Sequence, residues 1–329
     1  MNASEPLNTR QEAPADSRDG IHRRWTLHGL NNGAIFGATC RLVAILPRAI
    51  SYGIGHTVMW LAWRLMHATR RAIAGNLSAI FPDEAPRALE RRSREMLDAY
   101  ARDVIDFIRA LGASVTEQQA LFDYREEDAR LFSDLLGQGR GVILVSGHYG
   151  NWEVGSVFLR RIVNLPLTIM VKAEPDATVN RLRREIRDRL GVDTIEVRQS
   201  LDTALQIRRR LADNQVVAML MDRHMGRDRI AVQLLGRHAS FLKTPPLIGF
   251  MTGAPLVPCF IERMAAGRFR VRSGVPIVVA RDRPREEAIT IAAQDFADQL
   301  SARLRAHPEF WYHFYDYWNA QRPDSDPAV

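Results

Sequence analysis

The stretch GVILVSGHYGNWEVG (141–155) holds the residues best placed to do chemistry. An apolar strand ends at Gly147 and His148 follows at its carboxyl end, where open α/β sheets place their ligands. Glu153 lies five residues on, across a Gly-Asn turn, in the first turn of an expected helix. That spacing can fold the carboxylate back to the imidazole. A carboxylate on one ring nitrogen fixes the tautomer and supports the imidazolium formed on proton uptake. The other nitrogen is then free to act as a general base. The competing reading of His148 is a buried, hydrogen-bonded structural histidine.

The elements around this turn follow from the apolar pattern. Short apolar runs at 141–147, 167–172, 194–197, 216–222, 255–263 and 268–273 predict strands. Helical spacing predicts helices over 87–111, 180–190, 201–213 and 286–306. Strands alternating with helices imply an α/β domain with a mixed, mainly parallel sheet flanked by helices. Asp222 ends the VVAMLMD strand and is expected to share an edge with His148. Two roles are open to it: a second acid orienting the imidazole or a bound acceptor, or a cap on the next turn.

Charge is uneven along the chain. Lys+Arg number 45 against 38 Asp+Glu, a formal net charge of +7. Residues 1–20 are polar and aperiodic, which predicts a disordered tail; they lack the apolar core of a signal peptide. From Gly20 to Pro82 there is no acid, while seven arginines occur. The same window holds the longest apolar stretch, Ala49–Trp63. As a helix it would reach about 22 Å, short of a hydrocarbon core of about 30 Å. An interfacial helix is therefore expected, its Trp60 and Trp63 at headgroup depth and its arginines on lipid phosphates. The expected organisation is a tail (1–20), a basic, apolar membrane-associated segment (21–75), a catalytic domain (76–320) and a C-terminal tail (321–329).

Several function classes lose support. Two cysteines, Cys40 and Cys259, make no disulfide framework, and the nine histidines are scattered without H-E-x-x-H spacing, so no metal is expected. No P-loop is present, nor a G-x-G-x-x-G after a strand, so no nucleotide cofactor is expected. The arginine runs at 181–189 and 208–210 lie on helices mixed with acids and apolar positions. They suit solvated faces better than nucleic acid.

HYGNWE resembles the H-x4-D/E block of the lysophospholipid acyltransferase superfamily. GVILVSGHYGNWEVG is similar to the corresponding block of the bacterial lipid A late acyltransferases, the lauroyl and myristoyl transferases. GNLSAIFPDE (75–84), MDRHMGRDRIAVQLLGRHASF (221–241), TGAPLVPCFIER (252–263) and HPEFWYHFYDYW (307–318) resemble further blocks of that family, in order, over roughly residues 40–320. The resemblance implies acyl transfer from a thioester, on acyl carrier protein or coenzyme A, to a hydroxyl of a membrane glycolipid such as a lipid A precursor. The acid-free segment from Gly20 to Arg71 is expected to hold such an enzyme on the cytoplasmic face of the inner membrane, its cleft beside an apolar groove for the acyl chain.

On this reading His148 and Glu153 are catalytic. Backbone N–H groups after Gly150 and the Asn151 amide are candidate oxyanion donors. Arg223, Arg227 and Arg229 are candidates for an acceptor phosphate or the phosphopantetheine of the donor, against a merely solvated hairpin. Lys172 stands where the family often has Arg, and a Lys cannot make the planar two-pronged contact. The family also often has Gly where this chain has Thr244 before Pro245. These departures bear on the acceptor. Another lysolipid or a mannoside glycolipid is the alternative, as are a thioesterase-like hydrolase and a non-catalytic membrane-surface protein of the same fold.

Overall fold

The computed structural model describes residues 33–172, 176–197 and 201–320. The expected tails at 1–20 and 321–329, and the start of the basic segment with Arg23 and Arg24, lie outside the described residues.

Three helices come first: α1 (Gly33–Ile45), α2 (Arg48–Leu65) and α3 (His67–Leu77). The long α4 (Pro86–Gly112) follows, with short α5 (Val115–Ala120), strand β1 (Phe122–Asp123) and α6 (Glu126–Leu136). The central run is β2 (Val142–Ser146), α7 (Trp152–Val157), β3 (Leu167–Val171), α8 (Ala177–Leu190), β4 (Asp193–Glu196), α9 (Leu201–Ala212) and β5 (Val216–Leu220). A hairpin, β6 (Ile230–Leu234) and β7 (Arg237–Phe241), leads into α10 (Thr244–Thr252). The chain closes with β8 (Leu256–Arg263), β9 (Phe269–Ser273), α11 (Arg285–Ala306) and α12 (Tyr317–Ala320).

Seven strands form one sheet in the order β1-β9-β8-β2-β5-β3-β4. All neighbours are parallel except β8 and β9. Every residue of β2 is buried, because helices cover both faces of a parallel sheet. Alternation divides them: Ile143 and Val145 join the core under α11, while Val142 and Leu144 join the core beneath Phe132 and Phe158. The expected sheet and its flanking helices are thus present.

The acid-poor N-terminal segment forms helices rather than one apolar span, and among the described residues no helix is long and apolar enough to cross a membrane. Gly55 lets α2 lie close on α4, where an added Cβ would meet Ile105 at 2.9 Å. The opposite side of α2 exposes Ile50, Ile54, Val58, Leu61 and Leu65. Their spacing of three and four draws one stripe along the helix. Leu42 and Ile45 of α1 are exposed as well.

Candidate active site

His148 and Asp222 are brought together by strand register. β2 and β5 are parallel neighbours with Ser146 opposite Leu220. Two residues past each paired end, the chain places His148 and Asp222 side by side at the carboxyl edge. Asp222 Oδ1 lies 2.7 Å from His148 Nδ1, and Asp222 Oδ2 accepts the His148 backbone N–H at 2.8 Å. Gly147 keeps this approach open, since a Cβ there would stand 3.2 Å from Asp222 Oδ2. Asp222 is fully buried, whereas the His148 side chain keeps 19% of its surface. No hydrogen bond within the described residues engages its Nε2. Trp152 packs edge-to-face on the ring, 5.4 Å between centroids.

The electrostatics suit a base. Burial, helped by the Arg223 charge, lowers the His148 pKa against the opposing pull of Asp222. Burial alone would raise Asp222, but the charges and hydrogen bonds of His148 and His313 hold it well below the usual carboxylate range. The pair is therefore a neutral imidazole on an ionised carboxylate at neutral pH.

Glu153 does not make the bond that its spacing suggested. Its carboxylate lies 3.5 Å from Arg183 of α8, and the carboxylate on the His148 ring is Asp222. The cause is the turn. Gly150 has φ +62°, and a Cβ on it would stand 1.9 Å from the Ile261 carbonyl oxygen. This left-handed step, open to glycine, starts α7 in a direction that carries Glu153 toward α8.

Asn151 is likewise committed elsewhere. It is 5% exposed, its Oδ1 accepts the Val154 N–H at 3.1 Å, and its Nδ2 donates to the Asp103 carbonyl at 2.8 Å. It is the N-cap of α7 rather than an oxyanion donor. The N–H groups of Gly150 and Asn151 donate to Phe310 and Ile261. Arg223 is turned inward too: Nε donates to His313 Nδ1 at 3.2 Å and Nη2 to the Tyr312 carbonyl at 3.0 Å. Lys172 and Arg227 are exposed, the first just past β3 and the second in the turn before β6.

The C-terminal segment supplies groups that the strand pattern did not reveal. Residues 310–313 cross the carboxyl edge: Gly150 N–H donates to Phe310 O, and Tyr312 N–H donates to His148 O. His313 Nε2 lies 2.9 Å from Asp222 Oδ2. The one sequence signal was the aromatic-rich HPEFWYHFYDYW block. His148, Asp222 and His313 are the three groups among the described residues whose donor atoms converge closely enough to consider a cation. One nitrogen of each ring, however, faces its own carboxylate oxygen, and the Arg223 guanidinium lies against His313. That is the pattern of a hydrogen-bond relay and an unfavourable charge for a cation.

Two cavities of about 100 and 110 Å³ flank the site and share Trp152, Glu153 and Arg187. The larger runs under the sheet between Leu144, Leu159, Leu167, Ile169, Ala218 and Ile261, with Ser146 at the His148 strand end. Such apolar lining suits a hydrocarbon chain.

The sequence model for "Bacterial lipid A biosynthesis acyltransferase" matches residues 24–320. The chain is similar to a phosphatidylinositol mannoside acyltransferase of Mycolicibacterium smegmatis, 24% identical over 302 residues, which cover 89% of this chain and 93% of that protein. It is also similar to a phosphatidylinositol mannoside acyltransferase of Mycobacterium tuberculosis, 25% identical over 196 residues, 59% of each chain.

Proposed function

Since the chain belongs to the bacterial lipid A biosynthesis acyltransferase family and is an acyltransferase, we infer that it moves a fatty acyl chain from a thioester to a hydroxyl of a membrane glycolipid, with His148 as general base. The observation that carries this reading is the 2.7 Å contact of His148 Nδ1 with the buried Asp222, which leaves Nε2 for substrate. A hydroxyl is a poor nucleophile at neutral pH and needs such a base. Nε2 takes the hydroxyl proton as the oxygen attacks the thioester carbonyl. The tetrahedral intermediate collapses, the C–S bond breaks, and the imidazolium returns the proton to the leaving thiolate. Asp222 supports the imidazolium in between. No enzyme nucleophile is required.

Donor and acceptor follow from chemistry rather than from a bound group. We assign the acyl chain to the cavity beside Trp152, which its largely apolar lining supports. The donor is acyl carrier protein or coenzyme A carrying that chain. The exposed stripe of α2, with Arg64 stacked over Trp60 at 5.2 Å, fits the interface of an anionic membrane and brings the site to its acceptor. We place that membrane as the inner membrane, at its cytoplasmic face. A lipid A precursor is one acceptor of the right class. The names of the two relatives favour a second, a mannoside glycolipid.

Purified protein, given acyl-CoA or acyl-ACP and vesicles of bacterial lipid, decides between transfer and its rivals. Transfer predicts a lipid heavier by one acyl chain. Free fatty acid alone would mean a thioesterase-like hydrolase, and no thiol release with either donor would mean a binding protein.

A further inference from the structure

We propose that His313 is a positioning residue for the reaction, a buried neutral imidazole that clamps Asp222 from the side opposite His148. This rests on the functional reading above, but its structural core can be tested without substrate.

The clamp is built from the C-terminal crossing. Tyr312 N–H donates to the His148 carbonyl at 2.8 Å, which fixes the crossing to the His148 turn. The next residue then reaches Asp222. His313 has a fully buried side chain, and its Nε2 lies 2.9 Å from Asp222 Oδ2. The two imidazole rings stand 5.6 Å apart, one on each carboxylate oxygen.

The tautomer is set by Arg223. Its Nε–H donates to His313 Nδ1 at 3.2 Å. A guanidinium is a donor only, so Nδ1 must keep its lone pair and Nε2 must carry the hydrogen. His313 thus donates to Asp222 and cannot accept from it. Protonation would point an N–H at a guanidinium. Burial first, then the Arg223 charge, push the His313 pKa down to about 3, so it stays neutral through the working range. The other groups facing the clamp agree: Tyr315 Oη lies 3.2 Å from Nδ1, where its O–H donates to the same lone pair, and the Tyr317 ring lies 4.4 Å from the His313 ring. Both phenols are held above their ordinary range by burial. Among the described residues, Asp222, Arg223 and these two tyrosines thus face the two imidazoles.

The consequence is a carboxylate that cannot rotate. Oδ2 receives the His148 N–H and the His313 Nε2–H, so Oδ1 is left facing His148 Nδ1. Without the His313 donor, Asp222 loses one of these bonds, becomes more basic and pulls harder on the His148 proton. The His148 pKa should then rise while alignment worsens.

The test combines long-range 1H–15N NMR of histidine-labelled protein with kinetics on the full chain. In the wild type, His313 should show the Nε2–H tautomer unchanged from pH 8 to 5. His313→Leu should lower kcat for palmitoyl-CoA thiol release at least tenfold, keep KM within about twofold, and shift the His148 titration upward. His313→Gln, which keeps an N–H for Asp222, should recover most of kcat. An Nδ1–H tautomer, or ordinary titration of His313 near 6.5, overturns the proposal even if neither variant folds. So do Leu and Gln variants with equal rates and an unshifted His148. Failure of the functional reading itself would instead appear as wild type that yields no acylated lipid, or as full activity in His148→Ala, with the NMR result standing.

Discussion

At the scale of single residues, the site turns on which acid serves His148. Asp222→Asn keeps the shape but removes the charge and favours the wrong tautomer, so acyl transfer should fall by about 10²–10⁴. Glu153→Gln should cost much less, because Glu153 pairs with Arg183 rather than the imidazole. Single-turnover rates of the two variants check this; a larger loss in Glu153→Gln would reverse the assignment. Spacing along the chain could not have ranked them. The five-residue interval to Glu153 is visible in sequence, whereas the pairing of β2 with β5, which brings Asp222 to His148, is not. What sequence did convey was that Asp222 ends one apolar strand and His148 follows another, hence the expectation of a shared edge. Gly150→Ala should destabilise the fold by at least about 1–3 kcal/mol from backbone strain alone, with the Ile261 clash added. A denaturant midpoint no lower than wild type would contradict the close approach.

At the scale of elements, α2 is the piece that faces outward. Replacing Ile54 and Leu61 of its exposed stripe with Asp should weaken binding to anionic vesicles at least about tenfold, since full burial of such side chains contributes about 1.5–3 kcal/mol each. Flotation with vesicles measures it, and unchanged binding would remove α2 from the interface. Raising salt should weaken binding in the wild type as well, because arginine attraction is screened. The long elements were legible because burial writes apolar runs and helical periods. The break at Leu65 was not: Ala49–Trp63 predicted one interfacial helix, and α1 and α3 on either side carry too little pattern to announce themselves. β1, two residues long, carries none. One arginine is placed differently from the expectation for a related reason. Arg223 reads as a ligand contact in sequence, but its guanidinium stacks over Tyr315 at 5.3 Å and ties the C-terminal crossing to the sheet edge.

At the scale of the whole molecule, the buried histidines link stability to pH. His313 sits at about 3 in the folded protein, against 6.5 for an unperturbed imidazole. Below about 6.5 the unfolded chain binds a proton that the native state refuses, so stability falls as pH drops from there toward 3. His148 and Asp222, both lowered, act in the same direction. Asp103, raised by burial to about 7, acts oppositely: its contribution weakens stability as pH rises from about 4 to 7. The His313 share is isolated by comparison, since the stability gap between wild type and His313→Gln should shrink as pH falls below 6.5. A gap independent of pH would mean that His313 is not held neutral. The acid limb of the rate should also lie below 6.5, because His148 must be unprotonated to act. The central claim is that this fold transfers an acyl chain through His148. The direct measurement is mass spectrometry of vesicle lipids after incubation with acyl-thioester and either wild type or folded His148→Ala. Wild type should yield lipid heavier by one acyl chain, with thiol released in equal amount, and His148→Ala should yield about 10²–10⁴ less. Equal product from the variant would contradict the account.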